Sequence, residues 1–227
     1  MKTVLHIDSS VRRSDNSVAS YNSISKDLGG LFMDRWMSKN HHEKVIYRDL
    51  GLNPPQFINQ DWIAAVFTVE QNRTPAQQAL LALSDTLIAE VEQADLIVMT
   101  VPMYNYGMPA CLKAWFDQVV RIDKTFSFDL ARGDFPLAPI MSGKTLVLLT
   151  SSGEFGFSAG GIREQMNHLG PHIKLLSKYL GVSDFHEVAA EYQEFADHRH
   201  EQSIEDAHHR INDLVNCLCA DSALATT

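Results

Sequence analysis

Residues 95–121, DLIVMTVPMYNYGMPACLKAWFDQVVR, narrow the possible folds more than any other stretch. Leu96 to Val101 is an uninterrupted apolar run rich in β-branched residues, the pattern of a strand buried on both faces. Pro102 ends it, and a polar-aromatic loop follows, Met103-Tyr104-Asn105-Tyr106-Gly107-Met108. Pro109 suits a first helical turn, where no backbone donor is needed. From Ala110 onward, Leu112, Trp115, Phe116, Val119 and Val120 share one helical face. Buried strand, short loop and helix make one βα unit. In open α/β sheets, ligands bind outside the carboxyl ends of such strands.

The loop's chemistry points to a flat heterocycle. Tyr104 and Tyr106 can lie against a planar ring, and Asn105 offers both a donor and an acceptor to a ring edge. Gly107 lets the backbone approach closely. The plainer alternative makes the tyrosines loop packing and Asn105 a turn residue.

Other strand–loop–helix patterns flank this one. Residues 2–7 read as the first strand, followed by Asp8-Ser9-Ser10 and a hydroxyl-rich loop to Ser17. Val18, Tyr21, Ile24, Leu28, Leu31, Phe32 and Trp36 then fall at helical spacing, with Ser17 as the expected N-cap. Free N–H groups at a helix start, with serine hydroxyls and Arg12 or Arg13, make an anion site. The competing account is a plain turn whose serines only cap the helix. The Gly-x-Gly-x-x-Gly fingerprint is missing, which favours a mononucleotide over a dinucleotide. Leu146 to Thr150 is a further buried strand, and Ser151-Ser152-Gly153-Glu154 opens the glycine-rich loop behind it. A helix is expected from Ile162 to Leu180, a last strand at Asp184–Ala190, and a polar helix from Asp197 to Leu218. Residues 43–49 give a short strand, and Thr74-Pro75 opens a helix. Residues 51–75, with Trp62 and Phe67 in a short helix at Asp61–Phe67, read as a lid or binding segment, or else as a cover for a sheet edge. Lys124 to Phe128 alternates as a small hairpin or flap would.

With 227 residues, 45% of them hydrophobic, the chain has material for one sizeable core, and no internal repeat or linker divides 1–227. A net charge of −9 weighs against nucleic acid and anionic membranes as partners. No apolar run is long enough to cross a bilayer, and MKTVLHIDSS does not read as a signal peptide. Cys111, Cys217 and Cys219 lack disulfide spacing, so a reducing, cytoplasmic setting is expected. Residues 220–227 read as a flexible tail.

Three apparent motifs fail on context. Gly143-Lys144-Thr145 resembles the end of a Walker loop, but Ala138 stands where glycine is required and a strand follows. His198, His200, His208 and His209 lack the spacing of a zinc helix and sit among charged residues, as on a solvated face. A triad hydrolase would want Gly-x-Ser-x-Gly directly after a strand, and Ser151-Ser152-Gly153 does not supply it.

The loops around Ser10 and Ser17, at Met103–Tyr106 and at Ser151–Glu154, together with Arg48-Asp49-Leu50, Asn53-Pro54 and Ala82-Leu83-Ser84-Asp85, resemble the FMN-dependent NADH-azoreductase and quinone reductase family. Pro102-Met103-Tyr104-Asn105 followed by an aromatic residue is the most specific element. The resemblance implies a flavodoxin-like three-layer α/β domain, with five parallel strands in the order 2-1-3-4-5. It implies FMN held by Ser10, Ser17, Val18, Ala19, Met103, Tyr104, Asn105, Tyr106, Ser151, Ser152, Gly153 and Glu154. It further implies NADH or NADPH as donor, quinones or azo compounds as acceptors, and a homodimer with its sites at the subunit interface. No side chain need act as a nucleophile, because the flavin carries the chemistry. Phe126 and the 51–75 segment are the candidates for stacking on the second substrate. Two departures stand out. Relatives often read Ser-x-Ser where this chain has Ser17-Val18-Ala19, and Ser-Arg-Gly-Gly where it has Ser151-Ser152-Gly153-Glu154. Glu154 thereby puts a carboxylate near the flavin. A one-electron flavodoxin and a non-enzymatic flavin sensor are the alternatives. The long aromatic 51–75 segment argues against the first, and turnover of NADH would exclude the second.

Overall fold

The computed structural model describes residues 2–224, with side chains described through Ala220. The strands are β1 (Thr3–Asp8), β2 (Lys44–Asp49), β3 (Leu96–Pro102), β4 (Phe126–Phe128), β5 (Leu137–Pro139), β6 (Lys144–Ser151) and β7 (Val182–Ala190). The helices are α1 (Ile24–Lys39), α2 (Gln60–Phe67), α3 (Pro75–Gln93), α4 (Ala110–Val119), α5 (Gly170–Ser177) and α6 (His198–Leu224). Five strands form one parallel sheet in the order β2-β1-β3-β6-β7, which is 2-1-3-4-5 when only its own strands are counted.

Every residue of β3 is buried, as its unbroken apolar run requires at the centre of a sheet covered on both faces. Leu87, Ile88 and Val91 of α3, Trp115 and Phe116 of α4, and Ile173 of α5 pack on one face. Phe32 and Trp36 of α1, with Ile211 and Val215 of α6, cover the other. Each such fully buried large side chain contributes roughly 1.5–3 kcal/mol of apolar burial. The short pair β4–β5 stands apart as an antiparallel hairpin. Thr74 and Gln77 form a reciprocal capping box at the start of α3, with Pro75 in its first turn.

Two helix starts lie further along the chain than the apolar spacing indicates. Ser17 is exposed and is not the cap of α1; Ser23 is, its hydroxyl accepting from Lys26 N at 3.3 Å. Asn16 redirects the intervening loop, donating its backbone N–H to Asn22 Oδ1 (2.8 Å), and Ser23 N reaches back to Arg13 O (2.9 Å). Val18 and Tyr21 therefore face solvent, and only a short 3-10 turn forms at Ala19–Tyr21. The expected helix from Ile162 likewise begins only at Gly170. Pro171 can occupy a first turn but not a helix interior, and Asn167 Oδ1 takes the N–H groups of Leu169 (3.0 Å) and Gly170 (3.2 Å). Of the expected tail, residues 225–227 lie outside the described residues, as do the side chains from 221 onward.

Candidate functional site

Parallel register sets the loops after β1, β3 and β6 side by side. Asp8 pairs with Thr100 and Pro102 with Ser151. Past the strand ends, Ser9 N donates to Thr100 O (3.1 Å) and Met103 N to Ser151 O (2.8 Å). The sequence-predicted residues therefore share one carboxyl edge.

At the first loop, Ser9 is consumed by structure, its hydroxyl donating to Thr100 O at 2.9 Å. Ser10 Oγ accepts from Arg12 N (3.2 Å) and keeps its own proton to donate. Its turn presses against Gly51, where a Cβ would lie 1.9 Å from Ser10 O, so only glycine fits there. Ser17, Val18, Ala19 and Ser20 are all exposed, and their backbone N–H groups meet no protein acceptor among the described residues. Arg13 is committed to Asp15 (2.7 Å), while Arg12 has no acidic partner among the described residues. Orphan N–H groups, two free hydroxyls and a free guanidinium fit a phosphate.

Beneath this loop lies a buried polar network that sequence patterning missed. Asp8 Oδ1 accepts from Thr100 Oγ1 (2.7 Å) and lies 3.0 Å from His6 Nε2, while Asp8 Oδ2 accepts from Tyr47 Oη (2.7 Å). Burial pushes the Asp8 carboxyl up, but His6, Thr100 and Tyr47 together outweigh it and hold it below the usual carboxylate range. Burial and Asp8 in turn push the Tyr47 phenol well above its ordinary value. Lys26 closes the network against Asp49 at 2.5 Å. The signal was present in His6 and Asp8, two polar residues on one face of an otherwise apolar strand.

At the second loop, Tyr104 N donates to Gly107 O (3.0 Å) and Gly107 N to Tyr104 O (3.1 Å), a tight turn. Asn105 (φ 49°) and Tyr106 (φ 66°) both take left-handed backbone within it. Asn105 is exposed and its amide is uncommitted among the described residues, free to meet a heterocycle edge. At the third loop, Ser151 and Ser152 are buried, and Ser152 Oγ donates to Glu154 O (2.9 Å). The N–H groups of Gly153, Glu154 and Phe155 find no protein acceptor among the described residues.

A fourth segment, unforeseen, backs this edge. Gln193 N and Glu194 N donate to Ser152 O (3.2 Å) and Gly153 O (3.0 Å). The Glu194 side chain packs close over Gly153, where a Cβ would lie 2.4 Å from Glu194 Cγ. The Glu154 carboxylate is not a bare charge: Tyr106 Oη donates to it at 3.0 Å and Arg163 Nε at 3.0 Å. Met103, Ser151 and Ser152 also line a cavity of about 630 Å³ that runs under the 157–171 loop to Glu187. Burial raises the Glu187 carboxyl above its ordinary value.

Phe126 stands elsewhere in the single chain. With Trp62 and Phe67 it lines an apolar groove of about 480 Å³ along α4, which shares no lining residue with the three loops. The Ser84-Asp85 pair supports that region from below. Ser84 Oγ accepts from the buried Arg121 (2.8 Å), Asp85 also receives Arg121, and Trp62 Nε1 donates to Gln118 (3.1 Å). Among the described residues no group of three potential metal ligands occurs, and no helix is long and apolar enough to cross a membrane.

Comparison with known proteins agrees with this geometry. A family model described as flavodoxin-like fold matches residues 2–215. The chain is 66% identical over 218 residues to FMN-dependent NADH:quinone oxidoreductase 2 of Colwellia psychrerythraea, covering 96% of this chain and all of the relative. It is 58% identical over 227 residues to the protein of the same name from Idiomarina loihiensis, covering 100% of this chain and 93% of that one. Among solved structures, an FMN-dependent NADH-azoreductase from Bacillus anthracis in complex with FMN superposes with a TM-score of 0.82. At 16% identity, with 96% of this chain and 100% of that one covered, that likeness speaks to the fold. The family match over most of the chain and the identity to these relatives show that the chain belongs to the flavodoxin-like family of FMN-dependent NADH:quinone oxidoreductases.

Proposed function

We propose that this protein is an FMN-dependent oxidoreductase that takes reducing equivalents from NADH and passes two electrons to quinones and aromatic azo compounds. The observation that carries the reading is the set of uncommitted donors at one sheet edge, in a chain 66% identical to a protein named as an FMN-dependent NADH:quinone oxidoreductase. Bound FMN supplies the redox chemistry. The protein supplies the grip. Ser10, Ser17, Ser20, the N–H groups of 17–20 and Arg12 hold the phosphate. Asn105, with the N–H groups of Gly153 and Glu154, meets the polar edge of the ring. Tyr104 and Met103 flank it. No side chain has to form a bond to substrate, in keeping with an edge that offers no nucleophile–base pair.

The donor and the acceptor take turns in one pocket, which makes the kinetics ping-pong. A second copy of the chain completes that pocket and brings the Phe126 groove to it. Exposed apolar residues of the groove support this: Ile63, Phe67 and Phe128 line it and face solvent in the single chain. Purified protein reconstituted with FMN should bleach its visible flavin absorbance on adding NADH and recover it on adding a soluble quinone. A flavin spectrum that NADH leaves unchanged would return the reading to a carrier or a sensor.

A further inference from the structure

Tyr106, on the loop after β3, and Glu154, on the loop after β6, are joined by a 3.0 Å hydrogen bond across the candidate flavin edge. The carboxylate is seated from behind. Arg163 Nε donates to its other oxygen (3.0 Å) and Arg163 Nη1 to Phe155 O (3.1 Å). The same guanidinium lies 4.7 Å from the centre of the Phe155 ring. Phe155 stacks on Tyr192 at 4.3 Å and 10°, and Arg199 lies 5.3 Å from the far ring. A layered stack of guanidinium and aromatic groups thus fixes the acceptor to which Tyr106 is tied.

The tie lands on strained backbone. Tyr106 has φ 66°, which costs a residue with a Cβ and costs glycine nothing. A two-residue turn with both φ values positive ordinarily carries glycine at this second position. The neighbouring Asn105, at φ 49°, tolerates the left-handed region by its own chemistry. The backbone bonds Tyr104–Gly107 and His168 N to Tyr106 O (3.0 Å) limit the turn. The Tyr106 side chain itself meets the Phe157 ring (6.3 Å, 57°) and, through its hydroxyl, Glu154.

Resting on the reading of this edge as an FMN site, we infer that Glu154, seated by Arg163, is a positioning residue: it holds Tyr106 in left-handed backbone and so fixes the Asn105 amide. The departure at position 154 is then no direct charge on the ring. It is the anchor of a turn that lacks the usual glycine.

The test is FMN affinity, followed by flavin fluorescence quenching and by the visible circular dichroism of the bound flavin. Four proteins are compared: the unsubstituted chain, Glu154→Ala, Tyr106→Gly, and the two combined. Glu154→Ala alone should weaken FMN roughly three- to tenfold, the loss of one hydrogen bond. In the Tyr106→Gly background the same change should cost less than about twofold, because glycine keeps the turn unaided. Tyr106→Phe should match Glu154→Ala and add nothing to it. Equal losses in both backgrounds would overturn the proposal and make Glu154 a direct effector of the flavin or of its own loop. No loss in the unsubstituted background would overturn it too. Thermal melts of the apo proteins separate lost grip from lost folding. Failure of the unsubstituted chain to bind FMN would instead sink the reading of the site itself.

Discussion

In the proposed site, single residues at the carboxyl edge divide into those that meet the ligand and those that hold the backbone for it. Asn105 is of the first kind. Its amide is exposed and unpartnered, so Asn105→Ala should leave a buried flavin polar group unsatisfied and weaken FMN by about 1–3 kcal/mol, measured by titration calorimetry. Ser17 meets only the phosphate in this arrangement. Ser17→Ala should therefore weaken FMN and leave riboflavin, which has no phosphate, nearly untouched; equal losses would mean that the loop matters for folding. Asp8 is of the second kind. Its folded pKa lies below the ordinary value, so it stabilises the fold above that value and the contribution disappears as pH falls through the folded pKa. Urea unfolding from pH 6 downward should therefore show a steeper loss below about pH 4 in the unsubstituted chain than in Asp8→Asn. Ser10, Asn105 and Ser151 stand out in the sequence as members of hydroxyl, amide and glycine loops behind apolar runs, where capping and turn roles compete with ligand binding. His6 and Asp8 also stand out on β1, but Tyr47 does not show as their partner, since it meets them only through the pairing of β1 with β2.

Element by element, legibility follows how much of an element's shape is local. The run at β3 and the Thr74-Pro75 opening of α3 carry their own boundaries, and the structure keeps them within about a residue. The starts of α1 and α5 were displaced because apolar spacing continued into segments that side-chain hydrogen bonds turn aside. Ser23 and Gly170-Pro171 were the local signals that outweighed it. The role of Ser84-Asp85 was hidden for another reason. Its partner, Arg121, lies 36 residues beyond Asp85 and is buried to 1% side-chain exposure, while Asp85 is half exposed at 52%. That asymmetry sets an unequal cost. Asp85→Ala leaves a buried guanidinium without its counter-charge and should destabilise by about 3 kcal/mol. Arg121→Met leaves a carboxylate that water can reach, and it should cost clearly less. Denaturant melts of the two variants give the order directly, and the reverse order would refute this account of the support beneath the hairpin.

At the scale of the whole molecule, the single chain divides what one active site needs. The groups proposed to grip the flavin sit at the carboxyl edge, while Phe126, Trp62 and Phe67 line a groove along α4 that shares no lining residue with those loops. The groove's own lining exposes Phe67 at 71% and Phe128 at 50%, and the connection between β4 and β5 exposes Phe135 at 85%. Two-fold pairing of such a face buries the same residues on both copies and yields two equivalent sites. If the second copy completes the pocket, activity and assembly are linked. Diluting the enzyme through its dimer dissociation range should lower specific activity in step with the loss of dimer, followed by sedimentation. Phe135→Asp should shift both curves together to higher protein concentration. Within the dimer, one pocket shared by NADH and acceptor gives parallel double-reciprocal lines as the quinone is varied at several fixed NADH concentrations. Intersecting lines would mean separate sites for donor and acceptor. Full activity in a verified monomer would mean that one chain closes its own pocket, and the groove along α4 would then need another occupant.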